Sequence, residues 1–224
     1  MSTVLNAATW RTVVEPDPNG LYSTTLIPLV TSYSAWAQGD IDAGKLKATT
    51  CVACHGNDGN AIMAQYPKLA GQHADYLTKQ LADYKLALTS DGAQGRSNAI
   101  MAGMASALSA TDMADLGAYF SSLPISPNTT PEAAIAIAEP LYRFGDPERD
   151  IAACISCHGP RGNGTSLSGF PKISGQNAQY TQLQLQHFRA GTRNNDLNAM
   201  MRSVAEKLND DEINALSAYV AGLH

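Results

Sequence analysis

Apolar residues recur at intervals of three and four along much of the chain, the spacing that places them on one face of a helix. The clearest run has five apolar side chains between residues 113 and 123. It follows Ser109 and Asp112, which have the spacing of a helix N-cap and its third residue. No stretch alternates in the way that predicts a strand, so an all-α protein is expected. Helices are predicted from Ile41 to Cys51 and over 72–88, 109–123, 131–144, 176–190 and 209–223.

The second part of the chain repeats the first. Cys51, Cys54 and His55 recur 103 positions later, and the pairs within 67–81 recur with an offset of 104. Near the end of each half the offset is 100, where Tyr119 matches Tyr219. A duplication of this length predicts two similar domains, joined by a stretch of Pro, Ser, Asn and Thr that is typical of a linker. We place the first domain at 38–123, the linker at 124–130 and the second domain at 131–224.

Residues 1–37 have no counterpart in the repeat. They end in Ala35-Trp36-Ala37, the small-x-small pattern that a signal peptidase prefers. The preceding apolar run, Leu26–Val30, is interrupted by Pro28 and is far short of the ~20 residues that span a membrane. Arg11 is the only positive charge of the segment. The segment is therefore either a secretion signal of unusual composition, which we favour, or an extension that the mature protein keeps.

The composition is that of an ordinary globular protein, with 44% hydrophobic and 16% charged residues. The formal net charge of −5 is spread evenly over the two predicted domains. Neither domain is basic enough to predict a nucleic-acid partner. The charge also offers no strong single-sign field that would steer a partner protein.

All four cysteines lie in two copies of Cys-x-x-Cys-His. This pentapeptide attaches haem c, because two thiols reach the two vinyl groups of the porphyrin and the adjacent imidazole binds the iron. A thioredoxin-like pair has no use for the histidine, and a zinc site usually brings its cysteine pairs within about 15–20 residues. We therefore predict two covalently bound haem c groups, each with its iron. The attachment residues are Cys51, Cys54 and His55 for the first and Cys154, Cys157 and His158 for the second.

The duplication also indicates the second axial ligand of each iron. Equivalent haems should have ligands at equivalent positions, and Met101 and Met201 are a pair of methionines that match at the offset of 100. A filled sixth position restricts a haem to electron transfer, and a neutral thioether favours ferrous iron and raises the reduction potential.

The other candidate ligands have no counterpart of the same type. His73 corresponds to Asn177 and His187 to Asp83, while His224 is the last residue. We expect His73 and His187 on polar helix faces. Met104 and Met113 are expected to pack against other side chains.

Longer motifs lie at 54–56, 58–60, 66–72, 170–176, 191–196, 201–202 and 218–224. Together they resemble those of the cytochrome c4 family, whose members carry two haems. The resemblance implies two tandem class I cytochrome c domains related by a pseudo-two-fold axis, with haem propionates approaching each other at the interface. The family's axial methionines correspond to Met101 and Met201. Loop prolines whose carbonyls accept the Nδ1 proton of the axial histidine correspond to Pro67 and Pro171.

The resemblance implies an electron shuttle rather than an enzyme. Family members are periplasmic, either soluble or associated with the membrane. They pass electrons from the quinol-oxidising cytochrome bc complex or another periplasmic donor towards a terminal oxidase. A periplasmic location also follows from the need to attach haem c outside the cytoplasm. Two alternatives remain: the two-haem subunit of a sulfide-oxidising flavocytochrome c, and a two-haem peroxidase with one open iron.

The sequence departs from the family pattern in the first helix of the second domain. Ala138 and Pro140 stand where the family commonly has glycine and a helix-forming residue. Ala138 is expected to loosen the contact with the last helix, and Pro140 to shorten its own helix.

Overall fold

The computed structural model describes residues 10–16, 22–28 and 39–223. The chain divides into two units, 1–37 and 38–224. In the first unit, strand β1 (Trp10–Pro16) pairs antiparallel with strand β2 (Tyr22–Pro28). This hairpin was not predicted. Its strands contain β-branched residues, which favour strands, but apolar and polar residues do not alternate along them. The expected cleavage site at 35–37 lies outside the described residues.

The second unit is helical, and its two halves have the same order of elements. The first half contains α1 (Ile41–Lys47), α2 (Val52–His55), α3 (Ala74–Thr89), α4 (Ala99–Ser106) and α5 (Ala110–Ser122). The second half contains α6 (Glu132–Phe144), α7 (Ile155–His158), α8 (Ala178–Arg189), α9 (Met200–Ala205) and α10 (Asp210–Ala221). Short 3-10 turns lie at Ala48–Thr50, Ser166–Ser168 and Leu197–Ala199. The all-α prediction is confirmed for the two tandem domains, and the strands of the first unit are the exception to it.

The last helix of each half begins with a capping box. In α5, the side chain of Ser109 accepts a hydrogen bond from the backbone N–H of Asp112, whose carboxylate accepts one from the backbone N–H of Ser109. Asn209 and Glu212 make the same exchange at the start of α10. Each box satisfies N–H groups that have no partner within the helix. The predicted start at residue 109 is confirmed.

These last helices form the centre of their halves. Helix α5 packs against α1 and α3, and α10 packs against α6 and α8. The first core joins Ala48, Leu77, Leu116 and Phe120. The second core is larger and joins Ala134, Ala138, Leu141, Tyr142, Ile151, Leu208, Ile213, Ala215, Leu216, Tyr219 and Val220.

Helix α6 does not show the expected effect of proline. Pro140 lies inside a helix of 13 residues, whereas α1 in the first half has 7. The prediction of a shortened helix was wrong, because Pro140 is exposed while the opposite face of α6 packs on α10. Ala138 is fully buried and shares the second core with Tyr219, so the α6–α10 contact is made through it.

Contacts between the halves come in matched pairs. The side-chain amide of Gln72 donates to the carbonyl of Lys172 at 2.8 Å, and that of Gln176 donates to the carbonyl of Lys68 at 2.9 Å. The offset of 104 converts either contact into the other. Such reciprocity is what a two-fold axis produces, so the predicted pseudo-two-fold relation is confirmed.

Candidate functional site

Each Cys-x-x-Cys-His motif folds into a single helical turn. Cys51 caps α2, which ends at His55, and Cys154 caps α7, which ends at His158. Residues three apart on a helix lie on the same side, so the two thiols of each motif are neighbours. All four cysteines are half-buried and form no disulfide. The geometry presents two thiols and one imidazole from five consecutive residues.

Both motif histidines are buried and held by a prolyl carbonyl. Nδ1 of His55 lies 2.9 Å from the carbonyl oxygen of Pro67, and Nδ1 of His158 lies 3.0 Å from that of Pro171. A carbonyl can only accept, so Nδ1 carries the proton and Nε2 is left to bind a metal. Burial lowers the pKa of both histidines, which favours the neutral imidazole that metals bind.

The first cysteine of each motif lies in a site where burial disfavours the thiolate. Burial raises the pKa of Cys51, and it raises the pKa of Cys154 to about 11. The thiolate is the form that attacks disulfides and binds zinc, so burial favours neither role at these two cysteines.

The two predicted axial methionines lie on equivalent short helices. Met101 is in α4, where its backbone N–H donates to the side chain of Asn98 at 2.9 Å. Met201 is in α9, shortly after Asn198 and Ala199, which adopt positive φ of 52° and 57°. Both methionines are half-buried. Neither α4 nor α9 was predicted as a helix.

The remaining methionines divide into exposed and buried ones. Met113 is 4% exposed in α5, so its predicted packing role is confirmed. Met104 is 42% exposed on α4, and the prediction that it packs was wrong. In an eight-residue helix whose buried residues are Ala102 and Ala105, Met104 falls on the outer side.

The two internal histidines outside the motifs behave differently from each other. His187 is exposed near the end of α8, as predicted. His73 was expected on a polar helix face, but it is half-buried at the N-cap of α3, and its Nε2 lies 2.8 Å from the carbonyl of Asn163 in the other half. Asn177 occupies the equivalent position and bonds back to the carbonyl of Tyr66 at 2.9 Å. His224 lies outside the described residues.

A polar network between the halves was missed by the sequence analysis. Arg96 and Arg193 are each 7% exposed, and their guanidinium groups stack on the rings of Tyr84 and Phe188. Each arginine donates to a tyrosine of the other half and to a glutamine of each half, with the acceptors Tyr180, Gln184 and Gln80 for Arg96 and Tyr76, Gln80 and Gln184 for Arg193. The signal was present, because these tyrosines and glutamines are polar residues that the duplication repeats on helices.

The donor groups fit haem c. Among residues 39–223, no three His, Cys, Asp or Glu side chains lie close enough to hold a metal ion by themselves. A porphyrin supplies four nitrogen ligands, so the protein needs to add only axial ones. One imidazole with a fixed tautomer beside two unpaired thiols meets that requirement in each half.

The cytochrome c family model matches residues 41–124 and 150–224. Cytochrome c4 of Thiocapsa roseopersicina is 45% identical over 187 residues, covering 83% of this chain and 93% of that protein. The chain belongs to the cytochrome c4 family. The crystal structure of reduced recombinant cytochrome c4 from Pseudomonas stutzeri agrees, with a TM-score of 0.81 and 45% identity over 83% of this chain and 100% of that one.

Membership of the cytochrome c4 family confirms the resemblance found in the sequence. The two family matches and the two Cys-x-x-Cys-His motifs together mean that the chain carries two covalently bound haem c groups for electron transfer. A further relative, the thiosulfate dehydrogenase electron acceptor of Stutzerimonas stutzeri (strain A1501), is 40% identical over 79% of this chain and 80% of that protein. No helix in the described part of the chain is long and apolar enough to cross a bilayer.

Proposed function

We propose that this member of the cytochrome c4 family is a mobile electron carrier rather than an enzyme, with both irons ligated by histidine and methionine. In the first half Cys51 and Cys54 form the thioethers, and His55 and Met101 are the axial ligands. In the second half Cys154, Cys157, His158 and Met201 have the same roles. The observation that carries the proposal is the repeated bond from histidine Nδ1 to a prolyl carbonyl.

The roles of the protein groups follow from that bond. When bound, each haem supplies an iron that changes by one electron. Pro67 and Pro171 hold the imidazoles in one tautomer and one orientation, which keeps Nε2 directed at the metal. The methionine sulfurs are soft neutral ligands that stabilise the ferrous form, so positive reduction potentials are expected. Two filled axial positions leave no site for an oxygen or peroxide substrate.

The packing of the halves supports electron exchange within one molecule. The contacts through Gln72, Gln176, Arg96 and Arg193 join two equivalent sites and bury their polar groups. A rigid protein environment limits the rearrangement that accompanies a change of charge. We therefore infer that an electron entering at one haem can leave from the other.

The proposed location is the periplasm, where haem c is attached. The donor would be the quinol-oxidising cytochrome bc complex or another periplasmic redox protein, and the acceptor a terminal oxidase. The net charge of −5 over 224 residues is small, so docking through apolar surface is favoured over electrostatic steering. Peripheral association with the membrane is compatible with such partners.

A second candidate is a dedicated acceptor for a sulfur-oxidising enzyme. The relative named as a thiosulfate dehydrogenase electron acceptor favours this function. The function resembles that of the flavocytochrome c subunit, the alternative that the sequence left open, because both serve an enzyme that oxidises sulfur compounds. Purification distinguishes the two functions. A catalytic partner that co-purifies at fixed stoichiometry would support the dedicated role, and a chain that purifies alone and is reduced by the bc complex supports the shuttle.

Redox titration followed by absorption and magnetic circular dichroism tests the ligand set. The native protein should show two low-spin His/Met haems. Met101→Ala and Met201→Ala should each convert one haem to a five-coordinate or water-ligated form and lower its potential. An unchanged spectrum in either variant means that another group is the ligand.

Matched controls lie beside each proposed ligand. Met104→Ala alters an exposed methionine on the same helix as Met101, and Met200→Ala alters the exposed neighbour of Met201. Both should leave the two spectra unchanged. Carbon monoxide binding to the native ferrous protein would show an open iron and would favour the peroxidase alternative over the carrier.

A further inference from the structure

One peptide group in each half is shared between the axial histidine and the opposite half. The carbonyl of Pro67 accepts from Nδ1 of His55 at 2.9 Å. The N–H of that same peptide belongs to Lys68, and it donates to Oε1 of Gln176 at 2.8 Å. A glutamine of the second half is therefore one peptide away from the histidine of the first.

The second half repeats this arrangement in reverse. The carbonyl of Pro171 accepts from Nδ1 of His158 at 3.0 Å, and the N–H of Lys172 donates to Oε1 of Gln72 at 3.0 Å. Each glutamine also donates through Nε2 to the carbonyl of the lysine that it contacts, at 2.9 Å for Gln176 and 2.8 Å for Gln72. The two links are thus equivalent and cross in opposite directions.

The glutamine amides have only one orientation that satisfies their neighbours. Oε1 of Gln176 accepts a second N–H, from Asn177 at 2.9 Å, and Oε1 of Gln72 accepts one from His73 at 3.0 Å. A flipped amide would place NH₂ against two N–H donors and its oxygen against a carbonyl. Both glutamines are 8% exposed, so water cannot replace the lost partners at low cost.

The direction of the electronic effect follows from hydrogen-bond cooperativity. A peptide whose N–H donates becomes polarised, and its carbonyl becomes a better acceptor. A better acceptor at Pro67 strengthens the bond to the Nδ1 proton and makes the imidazole a more basic ligand. A more basic ligand favours ferric over ferrous iron and therefore lowers the reduction potential.

We propose that Gln176 and Gln72 are positioning residues that tune the haem of the opposite half through the prolyl peptide. The inference rests on the proposed ligation by His55 and His158. Gln176 lowers the reduction potential of the His55 haem, and Gln72 lowers that of the His158 haem. The reduction potentials of both haems then depend on the contact between the two halves. A single separated domain would therefore not have the potential that its haem has in the whole protein.

The test is an NMR-monitored redox titration of the two-haem protein, in which the signals of each haem are followed separately. Gln176→Leu removes the acceptor for Lys68 and should raise the potential of the His55 haem, leaving that of the His158 haem in place. Gln72→Leu should do the reverse. The equilibrium constant for electron exchange between the haems should change by at most about fivefold, the equivalent of one ordinary hydrogen bond.

The Nδ1 proton of each histidine in the diamagnetic ferrous protein gives a second readout. Gln176→Leu should shift the His55 proton upfield. Gln176→Glu keeps the acceptor for the N–H of Lys68 but loses the Nε2 donor to the Lys68 carbonyl, as Gln176→Leu does. It should therefore place the His55 proton downfield of its position in Gln176→Leu and the potential of the His55 haem below that in Gln176→Leu. Equal shifts in the two variants would show a loss of packing and would overturn the proposal.

Tyr180→Phe is the matched control for a loosened interface. It removes a hydrogen bond of 3.1 Å to Arg96 between the halves, and this hydroxyl is not a hydrogen-bond partner of either prolyl peptide. The potential of neither haem should therefore change relative to the other. A shift of equal size in both haems of Gln176→Leu, or a shift confined to the His158 haem, would contradict the tuning role. Because every variant should still show two low-spin haems, failure of the tuning role is distinguishable from failure of the carrier assignment.

Discussion

The two halves hold their haem-attachment motifs in the same way, but the chain reaches those motifs by different routes. In the first half, the seven residues of α1 and one 3-10 turn lead directly into Cys51. In the second half, the 13-residue α6 is followed by a loop that is closed by a bridge between Asp146 and Ile151 before Cys154. The extra residues lengthen the approach without altering the site.

The longer route enlarges the protein core of the second half. Tyr142 and Ile151 from this segment are buried there, and the hydroxyl of Tyr142 donates to the carbonyl of Gly159 at 2.6 Å, next to His158. Ile151 lies three residues before Cys154, and the residue three positions before Cys51 is Ala48. Ala48 has a much smaller side chain and belongs to a smaller core. The comparison teaches that the first half depends more on its porphyrin for a packed interior.

The largest expected effect is the loss of one haem from either half. Removing the first motif with Cys51→Ala, Cys54→Ala and His55→Ala should unfold much of the first half, because its own core is small. Removing the second motif in the same way should leave α6 and α10 largely folded. Hydrogen exchange of the two single-haem proteins, with haem content checked by mass spectrometry, measures the difference. Equal loss of protection in both would show that core size does not decide the outcome.

Much of this architecture could be predicted from the sequence, because it depends on local chemistry. The capping pairs at Ser109 and Asn209 fix where two helices begin, and the repeat relates every major helix to a partner. Each Cys-x-x-Cys-His motif brings its two thiols and its imidazole within five residues, so the attachment of haem can be predicted without knowing any distant contact. The attachment sites could therefore be identified before any fold was known.

Other features depend on contacts that the pattern of residues does not reveal. Helices α4 and α9 have 8 and 6 residues, too short for a clear apolar period. The position of His73 depends on Asn163 in the other half, 90 residues away. The buried arginines acquire their tyrosine partners and one glutamine each only when both halves come together, so residue type alone would place them on the surface.

The second prediction compares the crossing of α1 with α5 in the first half and the crossing of α6 with α10 in the second half. In α1, a Cβ added to Gly44 would lie 2.0 Å from the backbone oxygen of Asp115 and 2.8 Å from Cβ of Tyr119. Gly44→Ala should therefore cost about 3 kcal/mol, since backbone atoms cannot move aside. The equivalent crossing in the second half already accommodates Ala138. Chemical denaturation of the haem-loaded protein measures the change.

Gly103→Ala is the control for that substitution. Gly103 also lies in a helix of the first half, but nothing stands within 4 Å of an added Cβ. Alanine should raise the stability there by about 0.5–1 kcal/mol, because glycine loses more backbone entropy on forming a helix. A Gly44→Ala variant as stable as Gly103→Ala would mean that α1 and α5 can separate at little cost.

A third effect concerns the loops that lead into α4 and α9, the helices of the proposed axial methionines. In the second of these loops, Asp196 accepts from Nε of Arg202 at 2.8 Å and from the Arg202 backbone N–H at 3.0 Å. The Asp196 side chain is only 5% exposed. Asp196→Ala should destabilise this loop by about 2 kcal/mol and increase carbon monoxide binding to the ferrous second haem. The first haem, whose loop is held through Asn98, should not respond.

The smallest expected effect concerns the capping boxes of α5 and α10, a feature that the two halves share. Ser109→Ala and Asn209→Ala each remove one side of a capping box, and each should cost about 1 kcal/mol. Both boxes have an added basic partner, because Asp112 lies 3.1 Å from Nζ of Lys47 and Glu212 accepts from Arg149. Since Lys47 and Arg149 hold the two carboxylates whether or not the cap residue is present, the two substitutions should cost about the same. Denaturation midpoints of the two variants decide this, and a clearly larger loss for Asn209→Ala would mean that Arg149 does not support the start of α10 independently of the cap.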